Sequence, residues 1–219
     1  MNSIEIENLT MDFRRDRVLH GITHSFEKGK IHGVVGNNGS GKTVMFKCIC
    51  GFLNPTGGKV TVEGKRIGRE RDFPESIGII IEAPGFLPQF SGLRNLEMLA
   101  QIRGKLTLTE IADVIRRVGL DPTSRKPVGK YSLGMRQRLG IAQAIMEKPR
   151  ILILDEPTNG LDKNGVVEIR ELIRSLKDPE RTILIASHNV ADIDELCDTV
   201  CEMDAGVLTV IRQASAGKN

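Results

Sequence analysis

The sequence predicts an α/β fold with a mainly parallel sheet, an antiparallel β flank and a helical subdomain insertion. Short apolar stretches at 31–35, 151–154 and 182–186 have the composition of strands, and stretches with apolar residues at helical spacing lie between them. Strands that alternate with helices are joined by right-handed crossovers and pair in parallel. Two consecutive helical patterns between about residues 90 and 148 predict the insertion.

The first half of the chain supplies the flank and the start of the sheet. Residues 4–9 alternate between apolar and polar, which is typical of a half-buried strand, and residues 22–26 lead into a turn at Gly29. The continuous apolar run 77–81 is typical of a strand that is buried on both faces. We therefore predict, in order, strands over 4–9, 22–26, 31–35, 59–63 and 77–81, with a helix over 42–50 after the third strand.

The second half begins with the helical insertion and then returns to strands. Apolar residues at helical spacing predict a helix after Thr107 or Thr109, either of which suits an N-cap, and Gly119 suits its C-cap. The predicted elements are helices over 93–103 and 109–118, a strand over 151–154, a helix over 166–176 and a strand over 182–186. We expect one domain over residues 1–212 and a disordered tail over 213–219, which is small and polar.

Composition limits the possible functions. Of 219 residues, 40% are hydrophobic and 27% charged, and the net charge of only +3 comes from basic residues scattered among acids, so no nucleic-acid partner is expected. No apolar run approaches the roughly eighteen residues of a membrane span, and the N-terminus lacks a signal-peptide pattern, so we expect a cytoplasmic chain. The cysteines at 48, 50, 197 and 201 lack the spacing of a zinc or redox motif and are predicted to be reduced core thiols.

One glycine-rich run directly follows the strand at 31–35 and precedes a helix. It reads G-x-x-x-x-G-K-T and consists of Gly36, Asn37, Asn38, Gly39, Ser40, Gly41, Lys42 and Thr43. In this setting the backbone N–H groups and the positive end of the helix cradle the phosphates of a nucleoside triphosphate. Lys42 is expected to reach the β- and γ-phosphates, and the Thr43 hydroxyl to ligate Mg²⁺. The run predicts a P-loop NTPase core.

Two adjacent acids, Asp155 and Glu156, end the apolar strand at 151–154. The first acid at such a strand end is the usual Mg²⁺ partner of the P-loop hydroxyl. Successive residues of a strand point to different sides, so the second carboxylate is free for another task. We expect Asp155 to hold the metal and Glu156 to polarise the attacking water as a general base.

The segment from Tyr131 to Leu139 resembles the signature motif of ATP-binding-cassette (ABC) ATPases, Leu-Ser-Gly-Gly-Gln followed by a basic helix. Ser132 and Gly134 match this motif, whereas Tyr131, Leu133 and Met135 depart from it. Ser132 suits a helix N-cap whose neighbouring N–H groups can contact a γ-phosphate. The resemblance covers about residues 3 to 210.

The resemblance implies the roles of several further residues. Phe13 resembles the family's adenine-stacking aromatic, Asn159 to Asp162 the D-loop that crosses to a partner, and His188 the switch histidine that contacts the γ-phosphate. ATP and Mg²⁺ are the implied ligands. Two cassettes, identical or different, are expected to bind ATP head to tail, with Ser132 and Gly134 supplied by the partner.

Two departures from the family pattern concern the same site. Most cassettes carry Gln where this chain has Glu82, and the segment from Glu82 to Pro88 resembles the "E-loop" of the bacitracin and lantibiotic exporter branch. Glu82 is therefore expected to approach the metal and the attacking water, although its charge also repels phosphate. Val44 lacks the hydroxyl that many cassettes place near the α-phosphate, which removes one phosphate contact worth about 1 kcal/mol.

These observations favour an ATPase subunit that energises export of a peptide antibiotic or related amphiphile. Its expected partners are polytopic membrane permease subunits and a second ABC ATPase subunit, which would hold it peripherally on the inner face of the cell membrane. One alternative is the ATPase of an importer or of a lipid or drug transporter. A less favoured alternative is a non-transport ABC ATPase that acts on nucleic acid or ribosomes.

Overall fold

The structure is a computed structural model that describes residues 1–14, 16–82, 85–104 and 106–213, with the backbone alone at Val190. Apart from Gln213, the tail predicted to be disordered lies outside the described residues. So do Ala83 and Pro84, in the loop after Glu82.

The chain forms two sheets. The larger sheet has the spatial order β10 (Val207–Arg212), β9 (Thr199–Asp204), β3 (Ile31–Val35), β8 (Thr182–Ala186), β7 (Ile151–Asp155) and β6 (Ile77–Ile80), and only the β10–β9 pair of these is antiparallel. The smaller, antiparallel sheet has the order β2 (Asp16–Glu27), β1 (Asn2–Phe13), β4 (Gly57–Val62) and β5 (Lys65–Arg66). The predicted mainly parallel sheet and antiparallel flank are confirmed.

Side chains cap the N-termini of most of the helices, namely those of Ser91, Thr107, Ser132, Asp162 and Asn189. The helices are α1 (Lys42–Cys50), α2 (Gly92–Arg103), α3 (Leu108–Arg117), α4 (Leu133–Ile145), α5 (Lys163–Ser175) and α6 (Val190–Leu196), with a 3₁₀ turn at Val128–Lys130. Thr107, rather than Thr109, caps α3 in a capping box with Glu110. Gly119 follows this helix with φ of 74°, a conformation that favours glycine. In the chain, α2, α3 and α4 all lie between β6 and β7.

The apolar core covers both faces of the larger sheet. One cluster joins the two sheets and α1 through buried residues that include Ile4, Leu9, Phe26, Val34, Phe46 and Ile153. The other cluster packs the helices against the opposite face through residues that include Leu96, Ile111, Leu139, Leu152, Leu154 and Ile185. The sheet is therefore packed on both faces, and this core sets where the ends of its strands lie.

The expectation that residues 77–81 form a strand buried on both faces needs correction. Both faces of β6 are covered, because Ile80 packs in the cluster with α4 while Ile77 and Ile79 pack against the other cluster. However, Ile77 and Ile79 are only half-buried, since β6 is the last strand of the sheet. A Cβ at Gly78 would lie 1.9 Å from the Ala144 carbonyl oxygen, so glycine lets α4 sit directly on this strand.

The cysteines are buried and unpaired, as predicted: Cys48, Cys50, Cys197 and Cys201. Burial raises the pKa of Cys50 and Cys197 to about 12, which keeps both thiols protonated at neutral pH. Within the described ranges, no helix combines the length and apolar character that a membrane crossing requires.

Candidate functional site

The glycine-rich loop joins the end of β3 to the start of α1 and owes its path to glycine. Gly36, Gly39 and Gly41 have φ values of 150°, 81° and 111°. A Cβ at Gly36 would lie 2.2 Å from the carbonyl oxygen of Met203 on β9, so a larger residue would push the loop off the sheet. The loop lines one side of an open cavity of about 380 Å³.

The rest of this cavity is built from strand ends and from α4. Its other side is formed by Glu82 after β6, Asp155 and Glu156 at the end of β7, and Asn159 just beyond. Leu133 and Gln137 of α4 and Val18 of β2 complete the lining. The carboxyl ends of parallel strands meet at one edge of a sheet, which is why residues so distant in sequence share this cavity.

The loop and the first turn of α1 are chemically suited to phosphate. The Lys42 side chain is buried, and its Nζ donates to the carbonyl oxygens of Gly36 (2.6 Å) and Asn37 (3.0 Å), so it lies folded over the loop. The buried Ser40 hydroxyl has no hydrogen-bond partner among the described residues. An orphaned hydroxyl, an ammonium group and a helix N-terminus at one loop fit an anionic phosphate chain.

Thr43 and Asp155 form the pair expected at a magnesium site. The Thr43 hydroxyl donates to Asp155 Oδ2 over 2.7 Å. The pKa of Asp155 is raised because burial disfavours its charged form; the hydrogen bond from Thr43 opposes this shift, and the nearby Glu156 and Glu82 charges add to it. The described residues contain no group of three or more acidic, His or Cys ligands able to hold a metal. These two oxygen donors instead fit Mg²⁺, which takes few protein ligands and completes its shell with phosphate and water.

Glu156 and His188 are in direct contact. Glu156 Oε1 accepts a hydrogen bond from the His188 backbone N–H (3.0 Å) and lies 2.8 Å from His188 Nδ1. Glu156 has a φ of 51°, an uncommon conformation for a residue with a side chain. The structure thus brings the predicted base and the predicted switch histidine together at the rim of the cavity.

Two further contacts hold this site and were not predicted from the sequence. Gln137 Nε2 on α4 donates to the Glu156 carbonyl oxygen over 3.0 Å. Lys47 Nζ on α1 forms an ion pair with Glu82 Oε1 at 2.6 Å. Gln137 lies in the signature-like segment from Tyr131 to Leu139. Lys47 lies one helical turn beyond Thr43, so helical spacing alone could have placed its side chain on the same face of α1 as Thr43.

Phe13, Ser132 and Gly134 lie outside the cavity lining, whereas Val44 is part of it. Phe13, at the end of β1, is 41% exposed, and the β2 residue Val18 lines the cavity instead. Ser132 caps α4 by accepting a hydrogen bond from the Met135 N–H, as predicted, and is exposed. Gly134 packs against the Gly160 backbone, where a Cβ would lie 2.9 Å from its carbonyl oxygen. Val44 lines the cavity and packs against the core cluster that contains α1.

Comparison with known proteins identifies the family. The family model described as "ABC transporter" matches residues 19–159. An uncharacterized ABC transporter ATP-binding protein of Bacillus subtilis, YybJ, is 44% identical over 205 residues, which cover 94% of each chain. The bacitracin transport ATP-binding protein BcrA of Enterococcus faecalis is 41% identical over 207 residues, covering 94% of this chain and 67% of the relative.

A further relative and a solved structure agree with this match. The lantibiotic transport ATP-binding protein SrtF of Streptococcus pyogenes is 34% identical over 216 residues, which cover 99% of this chain and 93% of the relative. A dimeric ATP-binding cassette in a post-hydrolysis state, bound to ADP and phosphate, has the same fold with a TM-score of 0.87. It is 19% identical, and the match covers 97% of this chain and 99% of that one.

Proposed function

This chain belongs to the ABC transporter family as an ATPase subunit, and on that premise we propose that it energises export of a peptide antibiotic or related amphiphile by separate membrane subunits. The observation that carries the assignment of the site is the meeting of the P-loop, the Thr43–Asp155 pair and the Glu156–His188 pair around one cavity. Glu82 and the likeness to bacitracin and lantibiotic transport proteins support the class of cargo.

ATP binding is expected to use the P-loop and the Thr43–Asp155 pair. Lys42 Nζ would exchange the carbonyl oxygens of Gly36 and Asn37 for the β- and γ-phosphates, and the Ser40 hydroxyl would gain a partner. Thr43 and Asp155 would hold Mg²⁺, which neutralises phosphate charge when bound. Phe13, exposed at the end of β1, is available to stack on the adenine.

Hydrolysis is assigned to Glu156 with His188 as its neighbour. Glu156 Oε1 would accept a proton from the attacking water, which raises the nucleophilicity of the water oxygen in line with the γ-phosphate. His188 already touches the same carboxylate oxygen at 2.8 Å and so fixes its orientation. His188 is mostly exposed, which leaves it free to turn toward the γ-phosphate when a partner closes the site.

We propose a head-to-tail pair of cassettes, in which Ser132 and Gly134 of one chain complete the site of the other. Support comes from the geometry of α4: Ser132 is exposed at its N-terminus, where free N–H groups and the positive end of the helix favour an anion. The subunit would act in the cytoplasm on the inner face of the membrane, paired with another copy or with a different cassette.

The general-base assignment is tested by Glu156→Gln. Turnover is expected to fall by at least about 100-fold, because the amide cannot accept the proton, while affinity for ATP stays within about threefold. Size-exclusion chromatography with ATP should then show a trapped dimer. Glu171→Gln, an exposed acid on α5, serves as the control and should hydrolyse ATP normally. Near-normal hydrolysis by Glu156→Gln would remove Glu156 from the mechanism.

The membrane partner is proposed to dock at the loop before α2. The buried Asn95 side chain holds this loop by accepting from the Leu87 N–H (2.8 Å) and donating to the carbonyl oxygens of Leu87 (3.1 Å) and Ser91 (3.0 Å). Leu87 and Phe90 consequently stand exposed, whereas Phe86 packs into the core. Exposed apolar groups on a rigid loop suit a protein interface.

Replacing Leu87 and Phe90 with Asp together should abolish co-purification with the proposed membrane permease subunit and leave the ATPase rate of the free subunit within about twofold. Val167→Asp, which alters an equally exposed apolar residue on α5, is the control and should still co-purify. Unchanged co-purification of the double variant would place the interface elsewhere.

A further inference from the structure

Asp192 on α6 is a fully buried carboxylate to which the mechanism above gives no role. A buried charge persists only where hydrogen bonds and an opposite charge compensate for lost hydration. Its Oδ1 accepts from Arg170 Nε (2.8 Å) and Nη2 (2.5 Å), and its Oδ2 accepts from the Thr158 hydroxyl (2.5 Å). The buried Ser187 hydroxyl lies 3.4 Å from the same Oδ2.

The two hydroxyl groups around Oδ2 come from the two loops that carry the catalytic pair. Thr158 lies two residues after Glu156, and Ser187 directly precedes His188. Ser187 Oγ also lies 3.4 Å from Glu156 Oε2 and accepts from the Asn189 N–H at 3.0 Å. One carboxylate oxygen thus sits between the loop after β7 and the loop after β8.

Arg170 fixes the other oxygen of this carboxylate. It lies on α5, is mostly buried, and reaches Glu195 with its remaining nitrogen, Nη1. A guanidinium that contacts a carboxylate through two nitrogens holds its orientation more firmly than a single donor does. Arg170 therefore holds the orientation of the Asp192 side chain, and this fixes the position of Oδ2, the acceptor that both loops contact.

We propose that Asp192, held by Arg170, is a positioning residue for the Glu156–His188 pair. The inference rests on the proposed role of Glu156 as the general base. Packing alone does not fix the pair, since the His188 side chain is 65% exposed, and Glu156 is held in a left-handed backbone conformation that its surroundings must maintain. Their 2.8 Å contact therefore depends on how the two loops are held, and Asp192 contacts both loops in addition to the direct bonds between them.

The test is Asp192→Asn, which keeps the size of the side chain but removes its charge and replaces one acceptor oxygen with an NH₂ group. We expect kcat for ATP hydrolysis to fall about tenfold or more, because the loops that carry Glu156 and His188 lose their common acceptor. KM for ATP should stay within about threefold, because the P-loop is unchanged. Without nucleotide, hydrogen exchange should quicken at the Asn159 and Leu161 amides, which bond to the carbonyl oxygens of Glu156 and Thr158.

The matched control is Glu195→Gln. Glu195 pairs with the same Arg170 and with Arg174 but contacts neither loop of the catalytic pair. It should lose some thermal stability yet keep kcat within about twofold, and hydrogen exchange after Glu156 should not change. If Asp192→Asn acted only by lowering stability, Asp192→Asn and Glu195→Gln would change kcat and hydrogen exchange in the same way.

Wild-type kcat and exchange in a folded Asp192→Asn protein would overturn the proposal, as would equal losses in ATP binding and turnover. If that variant does not fold, Thr158→Val decides, because it removes only the hydroxyl that contacts Oδ2; it must lower kcat several-fold with KM unchanged. Failure here is distinct from failure of the proposed function, which would appear as near-normal hydrolysis by Glu156→Gln.

Discussion

At the scale of single residues, the charge of Glu82 would repel the phosphates of ATP, and the ion pair with Lys47 reduces this repulsion. Glu82 lines the cavity beside Asp155 and Glu156, and its charge contributes to the raised pKa of Asp155. The ammonium group of Lys47 lies 2.6 Å from Glu82 Oε1. A cation here reduces the repulsion that a third carboxylate would exert on an incoming triphosphate.

Lys47→Met should weaken binding of Mg-ATP about threefold to fivefold at low ionic strength, because Glu82 would then face the phosphates uncompensated. The effect is small because both side chains are partly solvated. Adding Glu82→Gln to Lys47→Met should restore the affinity, and high salt should shrink the difference. Fluorescence titration with a nucleotide analogue measures each affinity.

The control for this charge cycle is Lys59→Met, which breaks a comparable exposed ion pair with Glu7 in the smaller sheet and should leave the affinity unchanged. An unaltered affinity in Lys47→Met at low ionic strength, or no rescue by Glu82→Gln, would contradict the compensating role of Lys47.

At the scale of elements, α4 carries both a residue proposed to contact the partner's ATP and a residue that contacts the proposed general base. Its N-terminus carries Ser132, the group proposed to meet the partner's ATP, and its second turn carries Gln137, which donates to the Glu156 carbonyl oxygen. A helix is stiff over this distance, so a shift at Ser132 would also move Gln137. On the proposed head-to-tail pairing, binding of one chain to the other's ATP would thereby be coupled to the position of its own proposed general base.

Gln137→Leu should lower kcat about fivefold to twentyfold, with ATP affinity nearly unchanged, since it removes one hydrogen bond to the Glu156 backbone while keeping a similar volume. The loss is limited because the same carbonyl oxygen also accepts from the Asn159 N–H. Gln143→Leu makes the same change farther along α4 and should have little effect. Steady-state kinetics on both variants decides, and equal kcat values would argue against coupling through Gln137.

The sequence predicted those elements whose boundaries are marked by local chemistry. The bounds of β3, α1 and β8 match the predictions, because the glycine-rich loop ends β3 and precedes α1, Gly51 caps α1, and β8 is a compact apolar run. By contrast, β9 and β10 were not predicted; β9 is identified by its pairing with β3, and β10, which has no fully buried residue, by its pairing with β9.

In the candidate site, too, residues in contiguous motifs could be identified from the sequence, whereas contacts between distant segments could not. Residues of the P-loop and of the β7 end form contiguous motifs, so their roles could be predicted. Asp192 looks like one of several acids on a short surface helix, and only the fold shows that it is fully buried against Arg170, 22 positions earlier. Such contacts between distant segments carry no periodic signal in one sequence.

At the scale of the whole molecule, the site is open where a second chain is proposed to close it. The cavity is lined on one side by the P-loop and on the other by residues that include Leu133 of the same chain, while Ser132, which precedes Leu133, is exposed outside the lining. An exposed helix N-terminus with a capping serine is suited to a phosphate, and we propose that a second chain supplies it. Closure by a partner would satisfy both surfaces at once.

This arrangement predicts that charge at position 132 acts on the partner and not on the chain that carries it. In the Glu156→Gln background, Ser132→Asp should preserve α4, because Asp caps helices as well as Ser does, yet place a negative charge against the partner's γ-phosphate. We expect each chain to bind ATP normally while the ATP-dependent dimer seen by size-exclusion chromatography is lost. Ser132→Asn, an equally good but neutral cap, should largely keep the dimer.

Mixing variants with Glu156 intact tests the head-to-tail geometry directly. A chain with Lys42→Ala binds ATP poorly but retains a normal Ser132, whereas a chain with Ser132→Asp retains a normal P-loop. Each should be almost inactive alone, and their mixture should recover up to about one quarter of wild-type activity, because half of the random pairs are mixed and each mixed pair contains one complete site. A mixture no more active than its components would mean that Ser132 serves the chain that carries it or no site at all.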